Sequence, residues 1–528
     1  MKIITENLNK ITYLFGGILY ALSFPFSDSF HIFPAIIIAA AIYFSQFFDK
    51  EIKTKTLITN TLIFLWGYNI AGYYWLTFTL REFGGLTPPF NIILWQLFSL
   101  IIAPQFYIFI AVYLFIRKKK PDFLNLRNRF LPISIATLWV ILEYYTPQQF
   151  PALFGHPWLA LAPKLKLAQV FGTPIYSFLS VYIGINLYLA VKHRLRIKFP
   201  WLVAISILLV QFFLGDIANK GETSSTRLRL VQANIGNDLK LKSENGIQLA
   251  SSEVVNIFKK LSSKEFEKKP DLVIWPETSY PRILSTFKRD SVPYELSSFI
   301  RKMETNFFLG TYDLASNKAD LFEQQYNTAV LVDKNAKITD TYHKRVLIPF
   351  GEGLPFGPLN KYFAKVIQNI SFFATGKKYT HFKYDDQSFI ALICYEVLFP
   401  RYVRDYLNNL KARPKFIINL TNDSWYGRYS EQEQHLFLAK WRALEFNLPL
   451  VRMTNTGITS IIQPNGIELK RIGNYKQEIL DIDLNTQVTE ATPYQRYGIL
   501  NFLLFIILLI TSKYFILKNL PLEDRAYE

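Results

Sequence analysis

The chain is 528 residues long, half of them hydrophobic and 16% aromatic, with a formal net charge of +18 and a single cysteine. Such a composition excludes a purely soluble enzyme, and one cysteine excludes an internal disulfide. The first ~215 residues carry apolar stretches of bilayer-spanning length, which leaves the polar remainder to hold any soluble domain.

In chain order, seven apolar stretches are expected as transmembrane helices, at 11–27, 32–48, 57–79, 91–116, 130–145, 173–191 and 199–215, with an eighth at 497–516. Gly16, Gly17 and Pro25 interrupt the first. It reads either as a retained helix or as a signal-peptide core, with Ala21–Ser23 resembling a cleavage site. The retained helix is favoured because an even total fits the charges. Eighteen basic residues fall on one side of the spans: Lys2 and Lys10; Lys50, Lys53 and Lys55; Arg117 to Lys120 with Arg127 and Arg129; Lys192, Arg194, Arg196 and Lys198; and Lys513, Lys518 and Arg525. The opposite short loops hold only Arg81, Lys164 and Lys166. This asymmetry places both termini in the cytoplasm and the long segment between spans seven and eight outside. The positive charge belongs to these loops, so it does not point to a nucleic-acid partner.

The expected organisation is a seven-helix membrane domain over 1–215, an extracytoplasmic domain over 216–496, and a final helix with a cytoplasmic tail over 497–528. The middle part alternates β-rich runs at 227–235, 271–277, 306–313, 327–334, 389–396, 415–423 and 448–456 with amphipathic stretches at 245–262, 291–304 and 430–446. That pattern predicts an α/β domain with helices layered over buried sheets.

Three strings in it carry chemistry. In VIWPETSYP, Glu277 ends an apolar strand, where desolvation raises a carboxyl pKa toward the range useful for a general base; an acid there is also an ordinary turn residue. In YHKRVLIPFGEGLPFG, Lys344 is followed eight residues on by Glu352. A Lys–Arg pair is usually solvated, but the apolar flanks suggest an inward lysine able to stabilise an oxyanion and depress a nearby thiol pKa. In FIALICYEVLFP, Cys394 sits at the carboxyl end of a strand, where open α/β sheets place their chemistry, with Tyr395 and Glu396 next to it. A free cysteine is more often simply buried.

Taken together, WPE, HKRxLxPFGE and CYE resemble the nitrilase superfamily. With eight flanking spans, the GHPWLALA loop (155–162), TNDSWYG (421–427), residues 434–462 and TPYQRYG (492–498), the chain is similar over its whole length to the membrane-embedded apolipoprotein N-acyltransferase family. The resemblance implies an αββα sandwich domain, with Glu277 as general base, Lys344 as oxyanion-stabilising lysine and Cys394 as nucleophile. Glu352, Tyr395 and Glu396 match supporting active-site positions. It implies ping-pong transfer of an acyl chain from a phospholipid, through a Cys394 thioester, to the α-amino group of a lipoprotein's diacylglyceryl-cysteine. The setting would be the bacterial inner membrane, with the catalytic domain periplasmic and the enzyme a monomer. No cofactor and no metal are expected, since the six His lack ligand spacing such as HxxxH. One departure is Lys240-Leu241, where the family commonly has Lys-Trp; any lipid contact made there is either reduced or taken by another aromatic such as Trp275 or Trp425.

The alternatives are a membrane-tethered amidohydrolase acting on a small amide, a non-catalytic scaffold, and a transporter. Eight spans disfavour the first, the intact Glu277, Lys344, Cys394 set disfavours the second, and the scarcity of intramembrane charge (Glu143 is one) disfavours the third. Residues 358–373 have near-helical apolar spacing and read either as a packed surface helix or as an interfacial gate beside the active site.

Overall fold

The computed structural model describes all residues except 1, 27–29, 50, 126–127, 194–197, 214–218, 245, 287–289, 316–324, 364–370 and 520–528. Contacts divide the chain into two compact units, Met1–Asp216 with Thr492–Glu528, and Ile217–Ala491.

The first unit is helical. Its longer helices are Lys2–Leu22, Ala35–Ser45, Thr54–Gly72, Gln105–Lys119, Leu131–Tyr145, Pro174–His193, Lys198–Phe213 and Ile499–Asn519. Pro174–Lys192 is long and apolar enough by composition to cross a membrane, and Ala35–Phe48, Leu131–Tyr145 and Ile499–Phe515 are shorter apolar helices. Two expectations change in detail. The stretch 91–116 is not one helix: Phe90–Phe98 ends before Pro104, and a second helix starts at Gln105. Proline lacks the amide that would continue the first helix but fits the start of the next. Conversely, Gly16 and Gly17 do not interrupt the first helix, which runs unbroken from Lys2 to Leu22. A Cβ on Gly17 would lie 1.9 Å from the Phe64 carbonyl oxygen, and one on Gly67 would lie 2.4 Å from that of Leu14. These glycines therefore let two helix backbones touch, the role small residues play between membrane helices. Glu143 is buried, and its Oε1 accepts the Phe154 amide at 2.9 Å.

The second unit is a sandwich of two sheets. Its strands are β1 (Asn219–Gln232), β2 (Leu272–Ile274), β3 (Tyr280–Ile283), β4 (Asn306–Leu314), β5 (Gln325–Val332), β6 (Ile338–His343), β7 (Phe382–Tyr384), β8 (Gln387–Ile393), β9 (Phe416–Thr421), β10 (Leu450–Thr454), β11 (Thr459–Ile462), β12 (Glu468–Ile472) and β13 (Glu478–Thr489). One sheet runs β13-β1-β2-β4-β5-β6, with β3 beside β4, and the other runs β12-β11-β10-β9-β8-β7. Aromatic side chains interlock between them: Phe308 of β4 meets Phe389 of β8 at 4.9 Å and Phe382 of β7 at 5.1 Å.

Helices Gln248–Ser262 and Tyr294–Met303 cover the outer face of the first sheet, and Phe258, Leu296 and Ile300 share a core cluster with Val231, Val273 and Phe307. Trp275 is fully buried there, stacked on Phe258, with its Nε1 donating to Ser262 Oγ at 2.8 Å. Truncating such a side chain costs about 3–5 kcal/mol. Trp275 is therefore core and cannot supply the lipid contact suggested as one option. Leu241 is 40% exposed.

The topology gathers one set of ends. β1, β2 and β4 are parallel, β5 runs against β4, and β6 runs against β5. The carboxyl ends of β2 and β6 therefore lie with the start of β5, which brings Glu277, Lys344 and Asn327 to one edge. In the other sheet β8, β9 and β10 are parallel, and their carboxyl ends carry Cys394, Asp423 and Asn455.

Candidate active site

Glu277 follows β2 by way of Trp275 and Pro276, and the next residue, Thr278, has φ of +48°. This turn presses on β4 so closely that a Cβ on Gly310 would lie 2.6 Å from the Glu277 Cα. The Glu277 side chain is buried. Its Oε1 accepts from Asn327 Nδ2 at 2.7 Å and lies 3.5 Å from Lys344 Nζ. Burial pushes its pKa up; Lys344 opposes the shift and the Glu352 charge adds to it.

Lys344 extends the β5–β6 pairing, its amide donating to the Asn327 carbonyl at 2.9 Å. Its side chain is fully buried, with Nζ 2.8 Å from Glu352. Burial by itself works against the ammonium, but the Glu352 and Glu277 carboxylates outweigh it and raise the pKa, so Lys344 is a cation. The Glu352 side chain folds back on its own loop: Oε2 accepts the Ile348 amide at 3.0 Å, and Oε1 takes a second bond from Asn327 Nδ2 at 3.1 Å. Asn327 thus bridges the two acids. Lys240 is buried beside Thr278, Nζ to Oγ1, and its charge also acts on Glu277.

Cys394 is the first residue after β8 and has φ of +51°, a left-handed turn that is strained for a non-glycine residue. It is 3% exposed. Burial and the Glu277 charge push the thiol pKa well up, against a smaller opposing pull from Lys344. Lys344 does pull the thiol pKa down, as its position in the sequence suggested, but burial and Glu277 outweigh it, so the thiol keeps its proton until a base removes it.

Glu396 is fully buried but does not join this acid pair. Oε1 accepts the amides of Arg345 at 2.7 Å and Val346 at 3.1 Å, Oε2 accepts that of Ile393 at 2.8 Å, and Tyr342 Oη donates to both oxygens at 2.8 Å. Its role is to tie the Lys344 loop to the Cys394 turn. Tyr395 is buried with its ring edge-on to Phe399, centroids 4.7 Å apart.

The strings pointed to Glu277, Lys344, Glu352 and Cys394, and these interact electrostatically in the structure. Asn327, Asn419, Asp423, His435 and Arg452 were not singled out. For Asn419 and Arg452 the signal is a polar residue inside an apolar strand run, clearest for Arg452 in LPLVRMT, while Asp423 follows a strand and His435 lies on helix Glu431–Phe446. Cys394, Asp423 and His435 offer donor atoms within 4.8 Å of one another. Both Asp423 oxygens are already engaged, Oδ1 by His435 Nδ1 at 3.1 Å and Oδ2 by Arg452 Nη2 at 2.7 Å. The guanidinium supplies the positive charge a metal ion would bring, so this group does not fit a metal centre.

A sandwich with an acid, a lysine and a cysteine at its gathered strand ends defines a class, and the sequence comparisons agree with it. Residues 227–494 match the carbon–nitrogen hydrolase family, and residues 16–186 match the apolipoprotein N-acyltransferase N-terminal domain. The chain belongs to the carbon–nitrogen hydrolase family, among its apolipoprotein N-acyltransferase members. It is 28% identical to the apolipoprotein N-acyltransferase of Geobacter metallireducens, over 92% of this chain and 90% of that one. It is 27% identical to that of Rickettsia prowazekii, over 96% and 98%, and 26% identical to that of Vibrio cholerae, over 92% and 92%. A solved amidase from Nesterenkonia sp. AN1 is 18% identical with a TM-score of 0.33, covering 51% of this chain and 95% of its own, which is too low to add to the family match.

Proposed function

We propose that the chain transfers an acyl group from a membrane phospholipid to the α-amino group of an N-terminal diacylglyceryl-cysteine on a lipoprotein, through a thioester on Cys394. The observation that carries this reading is the buried Glu277–Lys344–Glu352 cluster acting electrostatically on a strained cysteine. Full-length similarity to apolipoprotein N-acyltransferases supports the choice of substrates.

In the first half-reaction Glu277 takes the Cys394 proton as sulfur attacks the ester carbonyl. Lys344 stabilises the oxyanion that forms. As the intermediate collapses, Glu277 returns the proton to the departing lysophospholipid oxygen. In the second, the lipoprotein amine attacks the thioester, Glu277 accepts its proton, and the thiol is regenerated as the amide forms. Because Lys344 stays charged, it serves as a fixed electrostatic donor while the proton travels through Glu277.

The helical unit then supplies the membrane setting. The apolar stretches support eight helical spans, and the distribution of basic residues supports both termini in the cytoplasm and the catalytic unit on the outer side of the inner membrane. The enzyme would act as a monomer. Loop side chains after Glu352 are exposed: Phe356 and Leu359, then Tyr362 on the short helix Asn360–Phe363. They support a lipid-facing approach to the site; residues 364–370 of the proposed gate at 358–373 lie outside the described residues.

The test is intact-mass analysis of protein incubated with phospholipid of defined acyl composition. A mass gain equal to one acyl chain, removed by hydroxylamine and transferred to a diacylglyceryl peptide amine, is expected. Turnover of small amides without any acyl adduct would overturn the reading in favour of an amidohydrolase.

A further inference from the structure

The nucleophile rests on a second charged group that the proposed chemistry does not use. Arg452 lies in the middle of β10 with no exposed surface, between Val451 and Met453. A guanidinium in such a place needs partners for its charge, and here both terminal nitrogens find them while Nε has none among the described residues. Its Nη1 donates to Asn419 Oδ1 at 2.8 Å, its register partner on β9, and its Nη2 to Asp423 Oδ2 at 2.7 Å.

Each partner reaches the cysteine by its own route. Asn419 pairs in register with Leu392 of β8, and its Nδ2 donates to the carbonyls of Leu392 at 3.1 Å and Cys394 at 3.3 Å. Asp423 holds His435, and the donor atoms of both lie within 4.8 Å of the Cys394 sulfur. The fit around Asp423 is tight, since a Cβ on Gly457 would meet its Oδ2 at 2.1 Å. The group is also electrically closed. Burial raises the Asp423 carboxyl, but Arg452 and His435 outweigh it and keep it ionised. Burial and Arg452 keep His435 neutral, and burial with the Asp423 charge holds Glu431 protonated.

We propose that Arg452, Asp423 and His435 form a positioning unit behind Cys394, in which one guanidinium braces the strained turn through Asn419 and cancels the Asp423 charge that faces the thiol. This rests on the reading of Cys394 as the nucleophile. The charged groups acting on the thiol are Glu277, Lys344, Asp423 and Glu352. Of these, only Asp423 is compensated by Arg452.

Cys394 is the only cysteine in the chain, so iodoacetamide reports on it alone. Alkylation of the full-length protein in detergent, followed by intact mass across pH, needs no acyl transfer and so separates this proposal from the acyltransferase reading. Asp423→Asn removes the negative charge yet keeps an acceptor for Arg452, and should lower the alkylation midpoint. Arg452→Met should raise it, and the double variant should return it toward wild type. About a tenfold change in alkylation rate at fixed pH, in opposite directions for the two single variants, corresponds to one pH unit. Acyl-adduct formation should slow in Arg452→Met and stay slow in the double variant even where the midpoint returns, because the brace through Asn419 is lost in both. Midpoints that do not move, or that move together, overturn the proposal, as does full-rate acylation in the double variant. Where Arg452→Met does not accumulate as folded protein by thermal unfolding, Asp423→Asn decides alone: an unchanged or raised midpoint overturns it.

Discussion

The two halves of the site solve the burial of charge in different ways. On the first sheet one cation, Lys344, is shared by two carboxylates, and Asn327 ties those carboxylates together. Burial holds the Glu277 pKa up and the Glu352 charge adds to it, against the pull of Lys344 and of Lys240 beside Thr278. On the second sheet one cation, Arg452, faces one carboxylate and one amide, and the charges cancel. The first arrangement keeps a proton available for transfer, while the second has no charge to spare and serves as a frame. A buried polar network can thus serve chemistry or rigidity, and whether its carboxyl is held up by burial or kept ionised by a paired guanidinium separates the two.

The largest effect should fall where the halves meet. Cys394→Ala is expected to abolish transfer, and Cys394→Ser to leave at most a slow ester-forming remnant, since a hydroxyl is far harder to deprotonate here. Acyl transfer near the wild-type rate in the alanine variant would refute the assignment of the nucleophile.

Within the first half, Lys344→Ala and Glu277→Gln should both block acyl-enzyme formation, the former by roughly 10²–10³ for a lost oxyanion donor. Their pH responses should differ in a definite sense. The Glu277 charge raises the thiol pKa and the Lys344 charge lowers it. Glu277→Gln therefore brings the thiolate within reach as pH rises, whereas Lys344→Ala pushes it further away. Thioester formation measured from neutral to alkaline pH should recover in the first variant more than in the second. Parallel recovery would erase the division between base and oxyanion donor.

Much of the first half was legible because its residues come in short strings beside apolar strands. Glu277 follows DLVIWP, Lys344 and Glu352 share one loop, and Cys394 closes FIALI. All seven expected β-runs contain strands, and the three amphipathic stretches contain helices Gln248–Ser262, Tyr294–Met303 and Glu431–Phe446. The strands that were missed are short or polar. β12 exposes Leu469, Lys470 and Arg471, and β3 and β7 pair over only a few residues, so neither has an apolar run to read. The frame was hidden for another reason. Arg452 binds residues 33 and 29 positions away, a distance at which no local pattern reports a partner. The break at 99–104 was hidden because apolar composition alone does not fix where a helix ends.

Glu396 offers a smaller test of how the halves are joined. It accepts amides from both sides, Arg345 and Val346 on one and Ile393 on the other. Glu396→Gln sets an NH₂ against one of those donors, which leaves a buried polar group unsatisfied at about 1–3 kcal/mol. A lowered thermal midpoint is expected, with acyl-enzyme formation falling alongside it while iodoacetamide still reaches Cys394. An unchanged thermal midpoint would mean that the carboxylate does not join the two sheets.

The smallest structural effect is expected where the first half opens outward. The Glu352 loop continues into exposed apolar residues, with Leu359 53% and Tyr362 59% exposed, whereas Asn422, Asp423 and Ser424 of the second half are buried. Surface side chains of this kind change stability by only about 0.5 kcal/mol when replaced. Leu359→Ser with Tyr362→Ser should therefore leave the thermal midpoint and iodoacetamide reactivity close to wild type. If these residues contact the bilayer, transfer from phospholipid in vesicles should slow, while transfer from the same phospholipid dispersed in detergent micelles should be affected less, because burying apolar side chains in the interface is what the substitution removes. A fall of several kcal/mol in stability would instead place the segment in the core. Equal slowing in vesicles and micelles would place its role in the chemistry rather than in reaching the lipid.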